Sequence, residues 1–473
     1  LVTVARDYRF DPHIIRAYDV RGVVGQSLHP QDYFLLGHGL ASYCLTPGDR
    51  VIVGRDGRLS SAEMEAALIQ GLCQGGCLVE TVGVVPTPLV YDAAFRTQAT
   101  AGCMVTGSHN PPDHNGLKLM VHGRSFYGEE LASLAARVMS LPRPVVLEGG
   151  ILASRPLVWV DHYIDLLLSR LLGLSDRPEG VRLRVVWDPG YGSTVPVVQR
   201  LTARLPGNHW ILHNRVDGHF PGHEANPSVA KNLKELQVAV LEHKADFGVA
   251  FDGDGDRIGM VLADGRIVWP DHLVAWLALT GGAQDGPLLV DVKTSAILCD
   301  YLVDRGVDVR VVATGHAKMK EAMRRHGALL AGELSGHVFF GTPYHGIDDG
   351  LYAAMEVLHR WLGNPASLGQ MLEDFPRTVD SGEQRWSVPD RDKFALMEAL
   401  MVDLRLEGVE FDATDGIRCV LSGAWWLLRV SHTEPAMVFR AEAVDEVAFA
   451  GLRDRLIPWL TKHWAVFGLP CPW

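Results

Sequence analysis

The sequence predicts an α/β fold, with three similar mixed α/β domains followed by a smaller α+β C-terminal domain. Two observations predict it. A short apolar, β-branched run ending in a polar turn recurs three times, and the tail then changes to several strands closed by one helix. Val51–Gly54 runs into Arg55-Asp56-Gly57-Arg58, Leu183–Trp187 into Asp188-Pro189-Gly190-Tyr191-Gly192, and Leu288–Val290 into Asp291-Val292-Lys293-Thr294. Helix-capable stretches such as Ser61 to Leu72 follow. Short buried strands alternating with helices pair largely in parallel.

In the tail, Gln384–Val388, Gly416–Leu421, Trp425–Val430 and Ala436–Ala443 read as strands. The pair Trp425-Trp426 reads as core rather than as an aromatic recognition platform. A helix starts near Asp445, and Pro458 is expected to kink or end it. Joints near Pro142-Arg143-Pro144, Arg257 and Asn364-Pro365 divide the chain into residues 1–154, 155–257, 258–369 and 370–473.

Composition excludes several classes. The 473 residues carry 44 Lys and Arg against 56 Asp and Glu, a net charge of −12. Such a chain is a poor general binder of nucleic acid or anionic membrane. Seven scattered cysteines contain no Cys-x-x-Cys pair, which reads as a reducing compartment without a disulfide framework or a zinc site. Cys73 and Cys77, one helical turn apart, read as buried thiols in a helix. No signal peptide or membrane-length apolar run is seen, so a soluble cytoplasmic protein is expected. The 20 histidines form no His-Glu-x-x-His motif and read as surface or hydrogen-bonded groups. Gly190-Tyr191-Gly192 follows a strand, but Val195 replaces the third glycine of a dinucleotide fingerprint.

Four motifs carry chemistry. After the apolar run Ala245–Phe251 come Asp252, Asp254 and Asp256, separated by glycines that let the backbone curl and the carboxylates converge. Two carboxylates ~4 Å apart repel by about 4 kcal/mol at an effective dielectric near 20. Three call for a hard cation, Mg²⁺ or Ca²⁺. An EF-hand is excluded, because Arg257 and Ala263 stand where its Gly and Glu would be. After Ala101–Val105 comes Thr106-Gly107-Ser108-His109-Asn110-Pro111, with Lys118 nearby as a cation or proton shuttle. Ser108, a hydroxyl on a glycine-flanked turn, is expected to be exposed and open to close approach. Taken alone, the segment reads rather as an ordinary loop, and no Gly-x-Ser-x-Gly elbow marks a hydrolase.

Gly332-Glu333-Leu334-Ser335-Gly336-His337 offers a carboxylate and a hydroxyl for sugar hydroxyls and an imidazole for phosphate, or else a capped turn. Arg429-Val430-Ser431-His432-Thr433 places a fork donor and two hydroxyls together, as in a phosphate cradle, or else caps a strand end. Together the four motifs supply a nucleophile, a metal site, a hydroxyl-reading loop and a phosphate cradle.

In their order along the chain, serine loop, aspartate triad, sugar loop and cradle, they resemble the α-D-phosphohexomutase family, in its phosphomannomutase/phosphoglucomutase branch. Arg16-Ala17-Tyr18-Asp19-Val20-Arg21-Gly22, Val85-Pro86-Thr87-Pro88, Asp291-Val292-Lys293, Thr314-Gly315-His316 and Tyr344–Leu351 are similar to further family motifs, so the likeness covers essentially the whole chain. The resemblance implies four domains around a central cleft. It also implies a phosphorylated Ser108 and Mg²⁺ held by that group with Asp252, Asp254 and Asp256. Arg21, Lys118 and Arg257 would face the transferring phosphoryl group, with Lys118 and His109 as acid/base candidates. Tyr18, Lys293, His316, Glu333, Ser335, Gly336 and His337 would contact the sugar phosphate, and Arg429, Ser431, His432 and Thr433 its far phosphate.

The implied reaction interconverts hexose 1- and 6-phosphates of mannose or glucose through hexose 1,6-bisphosphate. A monomer or weak oligomer is expected, without nucleic acid or membrane partners. Two departures stand out. His432 occupies a position that usually carries Asn or Gly, and Asp217–Pro227 differs in detail from the branch pattern. Other readings are an amino-sugar phosphate mutase, whose sugar loop usually has Gln where Leu334 stands, a Mg²⁺-dependent sugar phosphatase, and a non-catalytic sensor.

Overall fold

The computed structural model describes residues 2–4, 8–140, 149–152, 156–171, 183–283, 285–342, 344–431 and 435–470. The chain divides into two compact units, one of residues 1–273 and 335–365, the other of residues 274–334 and 366–473.

The first unit opens with a seven-stranded mixed sheet. Its strands are β1 (Val20–Val23), β2 (Arg50–Arg55), β3 (Leu78–Val84), β4 (Ala101–Val105), β5 (His114–Val121), β6 (Arg124–Ser125) and β7 (Gly150–Ile151). The order is β1-β5-β4-β2-β3-β7, with β6 on β5. Strands β4, β2, β3 and β7 pair in parallel, whereas β1 and β4 are both antiparallel to β5. The expectation of largely parallel pairing therefore fails on one side of this sheet. The short loop from β4 to β5 leaves no room for a crossover helix, so the chain returns antiparallel. Parallel β2 and β4 are almost wholly buried, with helices Pro30–Cys44 and Ser61–Gln74 contributing Leu36, Leu40, Leu68 and Leu72 to the core.

A second sheet follows, with β8 (Arg184–Asp188), β9 (Asn208–Ile211), β10 (Phe247–Phe251), β11 (Ile258–Leu262) and β12 (Ile267–Val268) in the order β12-β11-β10-β8-β9. Strands β10 and β11 form an antiparallel hairpin, Phe251 opposite Ile258. The joint placed at Arg257 thus falls inside a hairpin. The aspartate-rich turn marks a reversal within one sheet rather than its end.

In the second unit, β13 (Leu288–Asp291) pairs in parallel with β14 (Val309–Val312) and with β15 (Leu330–Gly332). The chain then returns to the first unit for the hairpin β16 (Val338–Phe340) and β17 (Ile347–Asp348) and the helix Gly350–Gly363. The tail, again in the second unit, is antiparallel: β18 (Val379–Asp380), β19 (Gln384–Ser387), β20 (Ile417–Leu421), β21 (Ala424–Val430) and β22 (Ala436–Ala443). Its order is β18-β22-β21-β20, with β19 also on β22.

Helices Asp390–Leu406 and Glu446–Val466 cover one face of that sheet, around Trp386, Trp426, Phe439 and Trp464. Trp425, fully buried, packs from the other face on Val292 and Ala296. Pro458 does not end its helix, which runs on to Val466. Leu452, Leu456 and Leu460 are buried at four-residue spacing, and their packing outweighs the one backbone hydrogen bond that proline forfeits.

Cys73 lies in the helix Ser61–Gln74, but Cys77 lies beyond its end, so the two thiols do not share a helix. The six described cysteines are all free. No described helix is long and apolar enough to cross a membrane.

Candidate active site

Strand β4 delivers the serine loop. Ser108 is buried and sits at φ 49°, in the left-handed region that costs a non-glycine residue energy unless its surroundings hold it there. Two residues at the end of β2 do so. Asp56 accepts hydrogen bonds from the Gly107 amide at 3.0 Å and the Thr106 hydroxyl at 2.8 Å. Buried Arg58 donates to the carbonyls of Ser108 (2.8 Å), Asn110 (2.6 Å), His114 (3.0 Å) and Pro111. A Cβ on Gly107 would lie 2.3 Å from Arg58 Nε, so only glycine lets the guanidinium in.

Strand β10 delivers Asp252, Asp254 and Asp256, all buried, with one oxygen of each within 4.8 Å of the others. The two loops touch at the backbone, since a Cβ on Gly253 would fall 2.4 Å from the Ser108 carbonyl. The Ser108 hydroxyl donates to Asp252 Oδ2 at 2.8 Å. Lys118 on β5 donates to Asp254 Oδ2 at 2.6 Å and also to Asp256. Thr87, at the start of the helix Thr87–Thr97, gives its hydroxyl to Asp254 Oδ2 at 2.6 Å and its amide to the Asp254 carbonyl at 2.8 Å.

Charges surround this cluster. Arg257 Nε lies 3.9 Å from Asp252, and Arg21 on β1 is ion-paired with Asp19 at 2.8 Å. A β-bridge joins Arg257 to His337, whose Nε2 is 3.4 Å from Asp256. The Ser335 hydroxyl meets His337 Nδ1 at 2.8 Å, and Gly336 turns between them at φ 95°. His109 Nδ1 is 3.3 Å from the Ser108 hydroxyl.

These contacts set the protonation states. Burial, then Asp254 and Asp256, pushes Asp252 well above the usual carboxylate range. Burial also works against the charge on Asp256, but Lys118 and His337 overcome it and hold that carboxyl well below. For Asp254, burial and Asp256 push upward and Lys118 wins, so it is lowered. Burial opposes the Lys118 charge as well, yet Asp254 and Asp256 raise its ammonium above the ordinary value. Burial, with help from Arg257 and Arg21, drives the His109 imidazole far down and keeps it neutral.

The cluster fits a hard cation. Asp254 Oδ1 is buried with no hydrogen-bond partner among the described residues, and the converging groups are all oxygens.

The second unit gathers the other predicted residues into a polar network. Glu333 Oε1 accepts from the Gly315 amide at 2.7 Å, beside His316 at the start of the helix His316–His326. Lys293 lies 3.7 Å from Asp291 and 3.5 Å from Glu383. Arg429 is paired with Asp415 at 2.9 Å, and Asp415 also accepts from the Thr314 amide at 3.2 Å. The Ser431 carbonyl is held by Lys393 at 2.8 Å. His432 and Thr433 lie outside the described residues. In the first unit, Tyr18 stands against Tyr127, ring centroids 6.4 Å apart.

Sequence reasoning missed Asp56, Arg58 and Thr87 as parts of the site. Asp56 and Arg58 were visible as a polar turn after a strand, and Thr87 only within a family-like motif. Nothing local says that they reach 50 and 167 residues along the chain.

The chain matches the phosphoglucomutase/phosphomannomutase alpha/beta/alpha domain I over residues 12–141, domain II over 161–265 and domain III over 269–379. It is 37% identical to the phosphomannomutase/phosphoglucomutase of Pseudomonas aeruginosa, over 92% of each chain. It is 33% identical to the phosphoglucomutase of Neisseria gonorrhoeae, over 93% of this chain and 95% of that one. Among solved structures, a phosphoglucomutase/phosphomannomutase family protein of Burkholderia thailandensis superposes with a TM-score of 0.88 at 32% identity, over 98% of this chain and all of that one. With three alpha/beta/alpha domains, a C-terminal domain and a serine set against an aspartate triad, the chain belongs to the phosphoglucomutase/phosphomannomutase family, the α-D-phosphohexomutases.

Proposed function

We propose that this enzyme interconverts the 1- and 6-phosphates of glucose and mannose, passing one phosphoryl group through Ser108 and forming hexose 1,6-bisphosphate on the way. The contact between the Ser108 hydroxyl and Asp252, 2.8 Å within a buried triad, carries the proposal. Asp252, Asp254 and Asp256, with the phosphorylated Ser108, would hold Mg²⁺. Bound there, the ion neutralises charge on the phosphoryl oxygens as the group moves.

The chain's own residues do the rest. In the forward half, the bond from phosphorus to Ser108 Oγ breaks as one forms to a sugar hydroxyl. The hydroxyl proton passes to neutral His109, whose Nδ1 lies 3.3 Å from Ser108 Oγ, and is returned to that oxygen as it leaves. Lys118 keeps its proton, because the aspartates raise its ammonium, and so faces the transferring group as a fixed cation. Arg21 and Arg257 add positive charge toward the transferring group. The bisphosphate turns end for end and returns its other phosphoryl group to Ser108. Glu333 and Ser335 take the sugar's O3 and O4, hydroxyls that glucose and mannose share. Lys293, His316 and His337 meet the sugar phosphate, and Arg429, Ser431, His432 and Thr433 take the phosphate that is not reacting.

A coupled assay tests this. Purified enzyme with Mg²⁺ and a trace of glucose 1,6-bisphosphate should convert glucose 1-phosphate and mannose 1-phosphate to the 6-phosphates without freeing inorganic phosphate. Chelation should stop it and Mg²⁺ should restore it. Full turnover by Ser108→Ala, or release of inorganic phosphate in place of the 6-phosphate, would reject the proposal.

A further inference from the structure

A second cluster of metal-ligating side chains lies outside the aspartate triad. Asp188 ends β8 and is fully buried, and it meets two histidines from the segment beyond β9. His213 Nδ1 is 2.8 Å from Asp188 Oδ1, and His223 Nε2 is 3.0 Å from Asp188 Oδ2. One ligand atom from each residue lies within 4.8 Å of the other two. We infer that Asp188, His213 and His223 form a second metal centre, for a borderline transition ion of the Zn²⁺ class, which pins the 213–223 segment to the end of β8.

The far nitrogens of the two rings carry the argument. His223 Nδ1 is 2.8 Å from the Glu224 carbonyl, an oxygen that can only accept, so that nitrogen bears a hydrogen. His213 Nε2 is 2.9 Å from the Glu235 carboxylate, which fixes its hydrogen in the same way. In neutral rings the lone pairs then sit on His213 Nδ1 and His223 Nε2, and both aim at the Asp188 carboxylate. Three acceptors converging on one point need either two added protons or one cation.

Two protons would make two imidazolium rings with centroids 4.8 Å apart, leaning on one carboxylate. Like charges at that separation repel by roughly 3 kcal/mol at an effective dielectric near 20, a cost that each ring's pairing with Asp188 offsets, so the charge balance admits either protons or a cation. One dication satisfies all three groups at once. Metal-bound histidines characteristically donate their other N–H to a carboxylate or a backbone carbonyl, as both do here. Two nitrogens and one carboxylate suit Zn²⁺ or Co²⁺, whereas the all-oxygen triad suits Mg²⁺.

The clamp sits behind the serine loop. Between His213 and His223 the chain carries Phe220, whose ring centroid is 5.2 Å from the Arg58 guanidinium. A Cβ on Gly218 would fall 2.8 Å from the Gly57 carbonyl, so the segment lies flat on the turn that holds Ser108.

Chelator-stripped protein, kept in excess Mg²⁺ to fill the triad, is titrated with Co²⁺ while visible absorption is recorded. The wild type should take up one Co²⁺ per chain with ligand-field bands that Zn²⁺ abolishes. His213→Gln and His223→Gln should each weaken uptake at least tenfold. Glu235→Ala should weaken it about tenfold to a hundredfold, as loss of an orienting carboxylate does. Asp254→Asn should leave it unchanged. Mg²⁺-dependent mutase turnover by the histidine variants establishes that they are folded. Absence of ligand-field bands in the wild type, the result of a proton-bridged cluster, would overturn the inference. So would equal Co²⁺ uptake by the wild type and both histidine variants.

Discussion

Replacing Arg58 tests whether the serine loop is held in place from behind. The guanidinium is buried, spans four carbonyls of residues 108–114 and pairs with Asp56 at 3.1 Å. Arg58→Met fills the volume and removes every donor. Breaking a buried ion pair costs about 3–5 kcal/mol, because the partner charge is left uncompensated. Asp56 retains donors in Thr106, Gly107 and Ser61, which places the cost near the lower figure. With the clamp gone, Ser108 relaxes from its left-handed backbone, and a displacement of about 1 Å at a reacting atom costs on the order of 10²-fold in rate.

The expected result is a kcat for glucose 1-phosphate conversion about a hundredfold below wild type. Arg58→Lys should fall between, since an ammonium has three donors for four carbonyls. Hydrogen exchange at Thr106–Asn110 should quicken in parallel. Wild-type kcat together with unchanged exchange in Arg58→Met would refute the reasoning.

Two further outcomes follow from neighbouring contacts. Thr87→Val removes the hydroxyl 2.6 Å from Asp254 Oδ2, so the Mg²⁺ concentration for half-maximal turnover should rise about tenfold to a hundredfold, read from an activation curve. Asp349 is pushed up from 3.8 to about 7 by burial, against hydrogen bonds from Tyr163 and Tyr344. The folded chain then binds the extra proton, so this group's contribution is fully present below about pH 4 and is lost as pH rises toward 7. Asp349→Asn should flatten that part of the denaturant-midpoint profile against pH, and an unchanged slope would show that Asp349 does not titrate there.

Much of the fold was legible because the strands are written in apolar, β-branched runs. Ala101–Val105 and Ala436–Ala443 form with the bounds the residues suggest. What escaped reading was direction. Nothing in Ile258–Leu262 says that it turns back beside Phe247–Phe251 rather than opening a new domain, because register depends on partners elsewhere in the chain. Pro458 shows the opposite limit, a local rule overridden by tertiary packing. In the site, the aspartate triad and Ser108 were legible because their chemistry is stated by residue type and spacing. The histidines at 213 and 223 are hydrogen-bonded, as their sequence context suggests, and their spacing matches no helical metal motif. Only the fold brings them to Asp188.

The residues that escaped reading share a physical cause. A loop with three aspartates cannot hold its own shape, because each carboxylate repels the next. Its stability must come from donors outside the loop, and here these are Lys118 and Thr87, 136 and 167 residues from Asp254. Likewise a serine in a left-handed turn must be held by groups that bond its backbone, and Arg58 does so from 50 residues away. Motif residues announce what they do to a ligand, while the residues that hold them make ordinary hydrogen bonds and carry no signature of their own. They can still be sought by asking, of each strained or self-repelling segment, which buried donor relieves it. For this chain that question leads to the turns after β2 and β3, so substitutions at Asp56, Arg58 and Thr87 should impair catalysis although none of the three side chains is assigned a contact with the sugar.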